Sequence, residues 1–283
     1  MKKHKTTFIM VLFFFIGLLG ILYPSISNFY NQKHQTKAIV NYEELLEQYD
    51  KKDYIENLND AHEYNKKLAK LKQPLLTYNT IKNYKKILNT NNDGMIGYIS
   101  IDKIKIELPI YHGTSKKVLS FAVGHLEGTS FPVGGEKTHS VLSAHRGLPS
   151  SKLFTDLNKL EKGDTFTIKV LDQLLTYQVD QITVVKPTEL NKLKIEPKKD
   201  YVTLMTCTPY GINTHRLLVR GIRVENAKEK SYVTTEAYVI SNLIVTPLVA
   251  QPIIFIILLI IALKPVDNTN EEIITKLDKN EEV

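Results

Sequence analysis

The sequence predicts a mainly β protein, one barrel of about eight short strands with short helices between them, preceded by a helical segment and framed by two transmembrane helices. Three observations carry this. Residues 94–226 hold β-branched and aromatic runs divided by Gly, Pro, Asn and Lys-Gly-Asp turns. Residues 36–93 contain no Gly and a single Pro, with apolar side chains at helical spacing. Residues 7–27 and 243–263 are two apolar runs without one charge.

Lys2, Lys3 and Lys5 stand before the first run, so the positive-inside rule leaves residues 1–6 in the cytoplasm and sends the following domain outside. A cleaved signal peptide is the competing reading. The run is longer than a typical signal core and no small-residue cleavage site follows it, which favours an uncleaved anchor. In 36–93, Tyr42, Leu45, Leu46 and Tyr49, then Tyr54, Ile55, Leu58 and Ala61, mark an amphipathic helix or helix pair. It is expected to lay its apolar face on the barrel; a free-standing stalk is the alternative. The helical pattern stops at Asn91-Asn92-Asp93-Gly94, a turn cluster.

Strands follow as MIGYISI, IELPIYHG, THSVLSAH, TFTIKVL, LLTYQVDQITVV, YVTLMTC and RLLVRGIRV. Their number within about 130 residues suggests an antiparallel or mixed barrel rather than βαβ units. Short helices are expected at Ser115 to Ala122 and Leu153 to Leu157. After residue 226 the chain turns charged and then enters the second run, where Pro247 and Pro252 bend the first half. A second span there returns the acidic tail, 264–283, to the cytoplasm, giving a two-pass cell-membrane protein with its barrel outside.

At 43% hydrophobic residues the chain can bury one sizeable core, hence one globular domain. The net charge of +7 raises nucleic acid as a partner, but the lysines are scattered and no aromatic-interleaved motif accompanies them. An anionic cell envelope suits the charge better, and a solvated surface explains it most simply. The single cysteine, Cys207, excludes an intramolecular disulfide. No His/Cys/Asp/Glu spacing matches a metal site, and neither a P-loop nor a dinucleotide fingerprint is present, so no metal or cofactor is expected.

Cys207 ends an apolar strand, a turn with Pro209, Gly211 and Asn213 follows, and Arg216 opens the returning strand. The hairpin therefore brings a thiol and a guanidinium to one end. Upstream, SVLSAHRG reads as a strand running into a loop with His145 at its end. A thiol reacts as thiolate, and an imidazole or nearby cation favours that form, so Cys207, His145 and Arg216 make a candidate acyl-transfer site. Singly, each has a plainer reading: an inert core thiol, a satisfied histidine, a solvated strand-edge charge. His215 falls on the opposite side from Arg216 if the strand alternates and is the weaker base. His112 and His125 are lesser candidates.

Whole motifs weigh more than single residues. TLMTC from Thr203 to Cys207, with TPYG and NTHRLLVRG behind it, resembles the signature of the sortases, the transpeptidases of Gram-positive surfaces. LPIYHGTS, GHLEGTSFPVGG and SAHRGLPSSKLFTDLNKLEKGD are similar to the class C, pilus-assembling branch. The resemblance implies an eight-stranded barrel. It also implies a cysteine transpeptidase that cleaves a Leu-Pro-X-Thr-Gly-like sorting signal between Thr and Gly through a thioester on Cys207. His145 would be the acid and base, and Arg216 the oxyanion and substrate-backbone ligand. Thr206 would contact the substrate, with a packed strand threonine as the equal alternative, His125 would line the substrate groove, and the acceptor would be a lysine amine of the next pilin subunit. A housekeeping sortase acting on a cell-wall precursor and a non-catalytic membrane-tethered barrel are the alternatives. Class C relatives usually carry an Asp-Pro-aromatic lid over the site. Here KLKQPLLTYNTIKNYKK offers Pro74 and Tyr78 without an Asp-Pro pair or any carboxylate, so the lid is expected to be mobile and weakly inhibitory; a lid held by packing, with Tyr78 shielding the thiol and no ion pair, is the alternative.

Overall fold

The computed structural model describes residues 2–226 and 254. The expected span at 243–263 and the acidic tail lie outside the described residues. The chain divides into two units, with the boundary in the first helix between Ser25 and Ile26.

Helix α1 runs from Lys2 to Glu47 with Pro24 inside it. The anchor expected at 7–27 and the helix expected from residue 36 are thus one element, because the residues between them, 28–35, contain neither Gly nor Pro. Within Ile9–Glu47, α1 holds an 18-residue stretch of mean hydropathy 2.4, apolar enough to cross a membrane, a test that an N-terminal signal sequence also passes. Helix α2, Lys51–Leu68, starts at Asp50, whose carboxylate accepts the Lys52 amide hydrogen at 3.2 Å.

From Ile26 onward the chain builds one closed barrel of eight strands. These are β1 Met95–Ile101, β2 Ile106–His112, β3 Val123–His125, β4 Thr138–Ser143, β5 Thr165–Val170, β6 Gln173–Val185, β7 Asp200–Thr208 and β8 His215–Val224. Their order around the barrel is β1-β2-β3-β4-β7-β8-β6-β5. The pairs β2–β3 and β4–β7 are parallel and the rest antiparallel, so the barrel is mixed. Strand β3 is three residues long, too short to show alternation in sequence.

Alternation sorts each strand into an inward and an outward set. Ile99, Ile101, Ile168, Tyr177, Val202, Leu204, Leu217 and Val219 fill the inside, and the main core continues outward to Ile39, Tyr42 and Leu46 of α1 and Ala61, Tyr64 and Leu68 of α2. The helices therefore lie on the barrel and are no stalk. The Tyr42 hydroxyl accepts the Leu171 amide at 2.9 Å, and the Asn65 amide brackets Phe131, donating to its carbonyl at 3.0 Å and accepting from its N–H at 2.7 Å. A four-residue helix, Pro74–Thr77 (α3), follows α2, and the helix expected at Ser115 to Ala122 is shortened to Lys116–Leu119 (α4). The helix expected at Leu153 to Leu157 is replaced by turns and a 3-10 helix at Leu157–Lys159. Leu153 has φ of 37°, outside the helical region, so no helix can begin there.

Candidate active site

The site is built on three adjacent strands, β4, β7 and β8, at one end of the barrel. Cys207 and Arg216 are direct cross-strand partners in the β7–β8 register, a placement that sets their Cβ atoms about 5 Å apart in general. On the other side of β7, the parallel β4 pairs Val141 with Thr203 and Ser143 with Met205. The pairing continues past the strand end, where Ala144 N–H donates to the Met205 carbonyl at 3.1 Å and the Thr206 hydroxyl donates to the Ala144 carbonyl at 2.8 Å. Two more residues of the same register bring His145 level with Cys207. His145, Cys207 and Arg216 thus form a row across three strands with the thiol in the middle.

The row lies on the outward face. Val141, Val185, Leu193 and Leu218 form a second, smaller apolar cluster there, with Leu75, Leu126 and Met205 packed against it. Met205 is two residues from Cys207 on the same strand face, about 7 Å along the strand, and Leu218 is two from Arg216. His215 pairs with Thr208 and shares parity with the inward Leu217 and Val219, as alternation requires. Cys207 is half-buried. His145 is also partly buried, and desolvation holds its pKa below the usual imidazole value. The Arg216 guanidinium donates to the carbonyls of Asn213 at 3.2 Å and His215 at 3.1 Å, which folds it over its own turn. Among the described residues no carboxylate pairs with it.

Thr206 and His125, expected to line the groove, are interior groups. Thr206 points inward and ties β7 to the chain after β4. His125 is fully buried, its Nδ1 2.9 Å from the Tyr84 hydroxyl and its Nε2 2.8 Å from the Ser130 carbonyl, and desolvation pushes its pKa down to about 3. It is neutral at working pH. His112 is fastened between the Gly94 and Ile87 carbonyls at 3.0 and 2.8 Å.

The segment carrying Pro74 and Tyr78 is docked. The Tyr78 hydroxyl donates to Glu127 Oε2 at 3.0 Å, and that hydrogen bond is the first cause of the raised Tyr78 pKa. Beneath it lies Gly128 with φ of +83°, where a Cβ would come within 2.9 Å of Leu75 Cα and 3.1 Å of the Pro74 carbonyl. Leu75 meanwhile reaches the cluster that contains Met205. The segment has no Asp-Pro pair of its own, and the carboxylate that meets it comes from Glu127, two residues after β3. Glu127 lies within GHLEGTSF, but nothing in the sequence says that it faces Tyr78.

Arg146 stands next to His145 within SAHRG, where the sequence gives it no role of its own. Its guanidinium donates to the Thr155 carbonyl at 3.2 Å, to Asn158 Oδ1 at 2.9 Å and to Thr208 Oγ1 at 3.4 Å, so it ties the histidine loop to the residue after the thiol. Gly147, with φ of +76°, lies under the Tyr210 ring, which a Cβ there would meet at 2.7 Å. Among the described residues no cluster of metal-ligating side chains is present.

The family model of the Sortase domain matches residues 99–224. The structure is similar to sortase C1 from Streptococcus agalactiae at 52% identity and a TM-score of 0.62, covering 68% of this chain and 100% of that one. The chain belongs to the sortase family. A second solved relative, Clostridium perfringens sortase C with the C-terminal cell wall sorting motif, is 45% identical with a TM-score of 0.59, covering 68% of this sortase and 100% of that chain. Both are class C sortases. Among curated relatives, Sortase D of Bacillus subtilis is 30% identical over 131 residues, which cover 45% of this sortase. This sortase spans 63% of that relative's length.

Proposed function

We propose that this sortase is a cysteine transpeptidase that polymerises pilins. The observation that carries the reading is the row of His145, Cys207 and Arg216 on three neighbouring strands, because acyl transfer needs a nucleophile, a proton carrier and a cation around one carbonyl carbon. The Cys207 thiolate attacks the Thr carbonyl of a Leu-Pro-X-Thr-Gly-like signal. The C–N bond to Gly breaks as the tetrahedral intermediate collapses, and His145 gives its proton to the departing amine. A lysine ε-amine then attacks the thioester, His145 takes the proton, and the thiolate leaves to restore the enzyme. Arg216, charged at every working pH, swings from its turn to the developing oxyanion and the substrate backbone. Thr206 and His125 act through the scaffold.

Pilins as substrates are supported by the likeness to class C sortases, and the sorting signal by the Clostridium perfringens relative, which was solved with the C-terminal cell wall sorting motif. The segment with Pro74 and Tyr78 is the lid of the site, since its Leu75 packs on the same apolar cluster as Met205, on the face that carries the thiol. The N-terminal apolar helix holds the enzyme at the cell membrane, and the charge-free run at 243–263 forms a second span that leaves the barrel outside.

The test is mass spectrometry of the full-length enzyme with peptides bearing sorting signals, followed by addition of a lysine-bearing pilin peptide. An adduct on Cys207 equal to the peptide through Thr, discharged onto the lysine, is expected. Discharge onto a cell-wall precursor amine alone would replace the polymerase by an anchoring enzyme, and no adduct would end the transpeptidase reading.

A further inference from the structure

One face of α1 carries three side-chain amides at Asn28, Asn31 and Gln35, positions i, i+3 and i+7 and hence one stripe of the helix. Each holds a different residue of the loop that follows His145. Asn31 Nδ2 donates to the Ser150 carbonyl at 2.7 Å, and Gln35 Nε2 donates to Ser151 Oγ at 3.2 Å and to the Phe121 carbonyl at 2.6 Å. Asn28 Oδ1 accepts the Lys152 amide hydrogen at 2.8 Å. Gln35 and Ser151 are both buried, 3% and 2% exposed, so their polar groups have no water to fall back on. Below Gln35 the same stripe becomes apolar, with Ile39, Tyr42 and Leu46 in the core.

The held residues lead straight back to the histidine. Phe154, two positions beyond Lys152, is fully buried and donates its N–H to the His145 carbonyl at 3.1 Å. Thr155 Oγ1 accepts the Gly147 amide hydrogen at 3.1 Å, and Lys152 Nζ reaches the Ile104 carbonyl at 2.9 Å. His145 itself sits two residues past the end of β4, one beyond the last ladder bond, from Ala144 N–H to the Met205 carbonyl.

We propose that Asn28, Asn31 and Gln35 are positioning residues of the active site, an amide ladder on α1 that fixes the loop behind His145 and so aims its imidazole at Cys207. The proposal rests on the transpeptidase reading, but two of its readouts do not depend on turnover. A purely apolar helix face would seat α1 on the barrel equally well, as Ile39, Tyr42 and Leu46 do. Side-chain amides add a donor and an acceptor for the unpaired backbone groups of an irregular loop, and both polarities are used here.

The test compares full-length wild type with Asn31→Ala and with the triple variant Asn28→Ala, Asn31→Ala, Gln35→Ala, in detergent micelles. In the triple variant, amide exchange at Ser150 to Phe154 should speed up roughly tenfold or more while β7 and β8 keep their protection. The His145 imidazole, whose titration burial alone depresses, should titrate closer to the ordinary value. Turnover should fall about tenfold in kcat with KM within twofold, and Asn31→Ala should show the same changes in smaller measure and covers the case in which the triple variant does not fold. Unchanged exchange and His145 titration in a folded variant would overturn the proposal, as would lost turnover that merely tracks lost folded protein. Turnover that survives Cys207→Ala would instead overturn the transpeptidase reading and leave the exchange and titration results standing.

Discussion

Replacing Tyr78 by Phe removes one hydroxyl and leaves the ring, which isolates the tie between lid and barrel. The Tyr78 hydroxyl donates to Glu127 at 3.0 Å. A hydrogen bond to a charged acceptor contributes about 1.5–3 kcal/mol when buried, and both partners are half-exposed here, so about 1 kcal/mol is the fitting value after screening. That is roughly a fivefold shift of the closed-to-open ratio. Cys207 should then react with a small neutral alkylating reagent about fivefold faster in Tyr78→Phe than in wild type, followed by mass under pseudo-first-order conditions. Leu75→Ala removes the lid's apolar contact and should give a larger acceleration. Gly128→Ala pushes a methyl to within 2.9 Å of Leu75 Cα and should also open the lid. Equal rates for wild type, Tyr78→Phe and Leu75→Ala would refute the reasoning, because the seated segment would then have no bearing on access to the thiol.

Three further outcomes follow from the same geometry. Alanine at Cys207, His145 or Arg216 should each abolish most transfer, and double variants should lose little more, since under the proposed mechanism the three act on one developing charge; near-normal polymerisation by Arg216→Ala would remove it from that mechanism. His125 and His139 have pKa values lowered by burial to about 3 and about 4. The unfolded chain therefore binds their protons first, and stability should be full above pH ~6.5 and fall by up to about 1.4 kcal/mol per pH unit for each group as pH drops from there towards those values. Urea midpoints across that range check this, and His139→Gln should flatten the slope. In intact, wall-stripped cells, protease should reach the barrel and spare the tail after Asn268, and cleavage of that tail would exclude a second complete span.

Much of this is legible in the sequence because it is local. The Cys207–Arg216 pairing follows from a hairpin whose turn is marked by Pro209, Gly211 and Asn213, and the structure sets the two residues directly opposite each other. Seven strands announce themselves by β-branched runs, while Val123–His125 is too brief to do so. Contacts between distant segments leave no such trace. Nothing near Tyr78 foretells Glu127, and the polar stripe of Asn28, Asn31 and Gln35 reads as solvated helix surface until the loop it meets is known. His125 misleads for a related reason: a histidine in a family-like motif is equally compatible with a groove and with a buried hydrogen-bonded core, and only the Tyr84 hydroxyl and Ser130 carbonyl around it decide.

The parallel pairing of β4 with β7 has a kinetic consequence. The thiol and guanidinium are nine residues apart and meet as soon as one hairpin forms, a microsecond event in isolated chains. The histidine arrives by a different route, since the contact that brings its strand end to β7, Thr206 to Ala144, spans 62 residues and encloses both β5 and β6. Contacts of that range form late, after the intervening chain has been ordered. A folding chain therefore carries Cys207 for most of its folding time without His145 beside it. It gains chemical competence only when the sheet closes on itself, so a half-folded molecule has no means of seizing a substrate that it is not yet shaped to pass on.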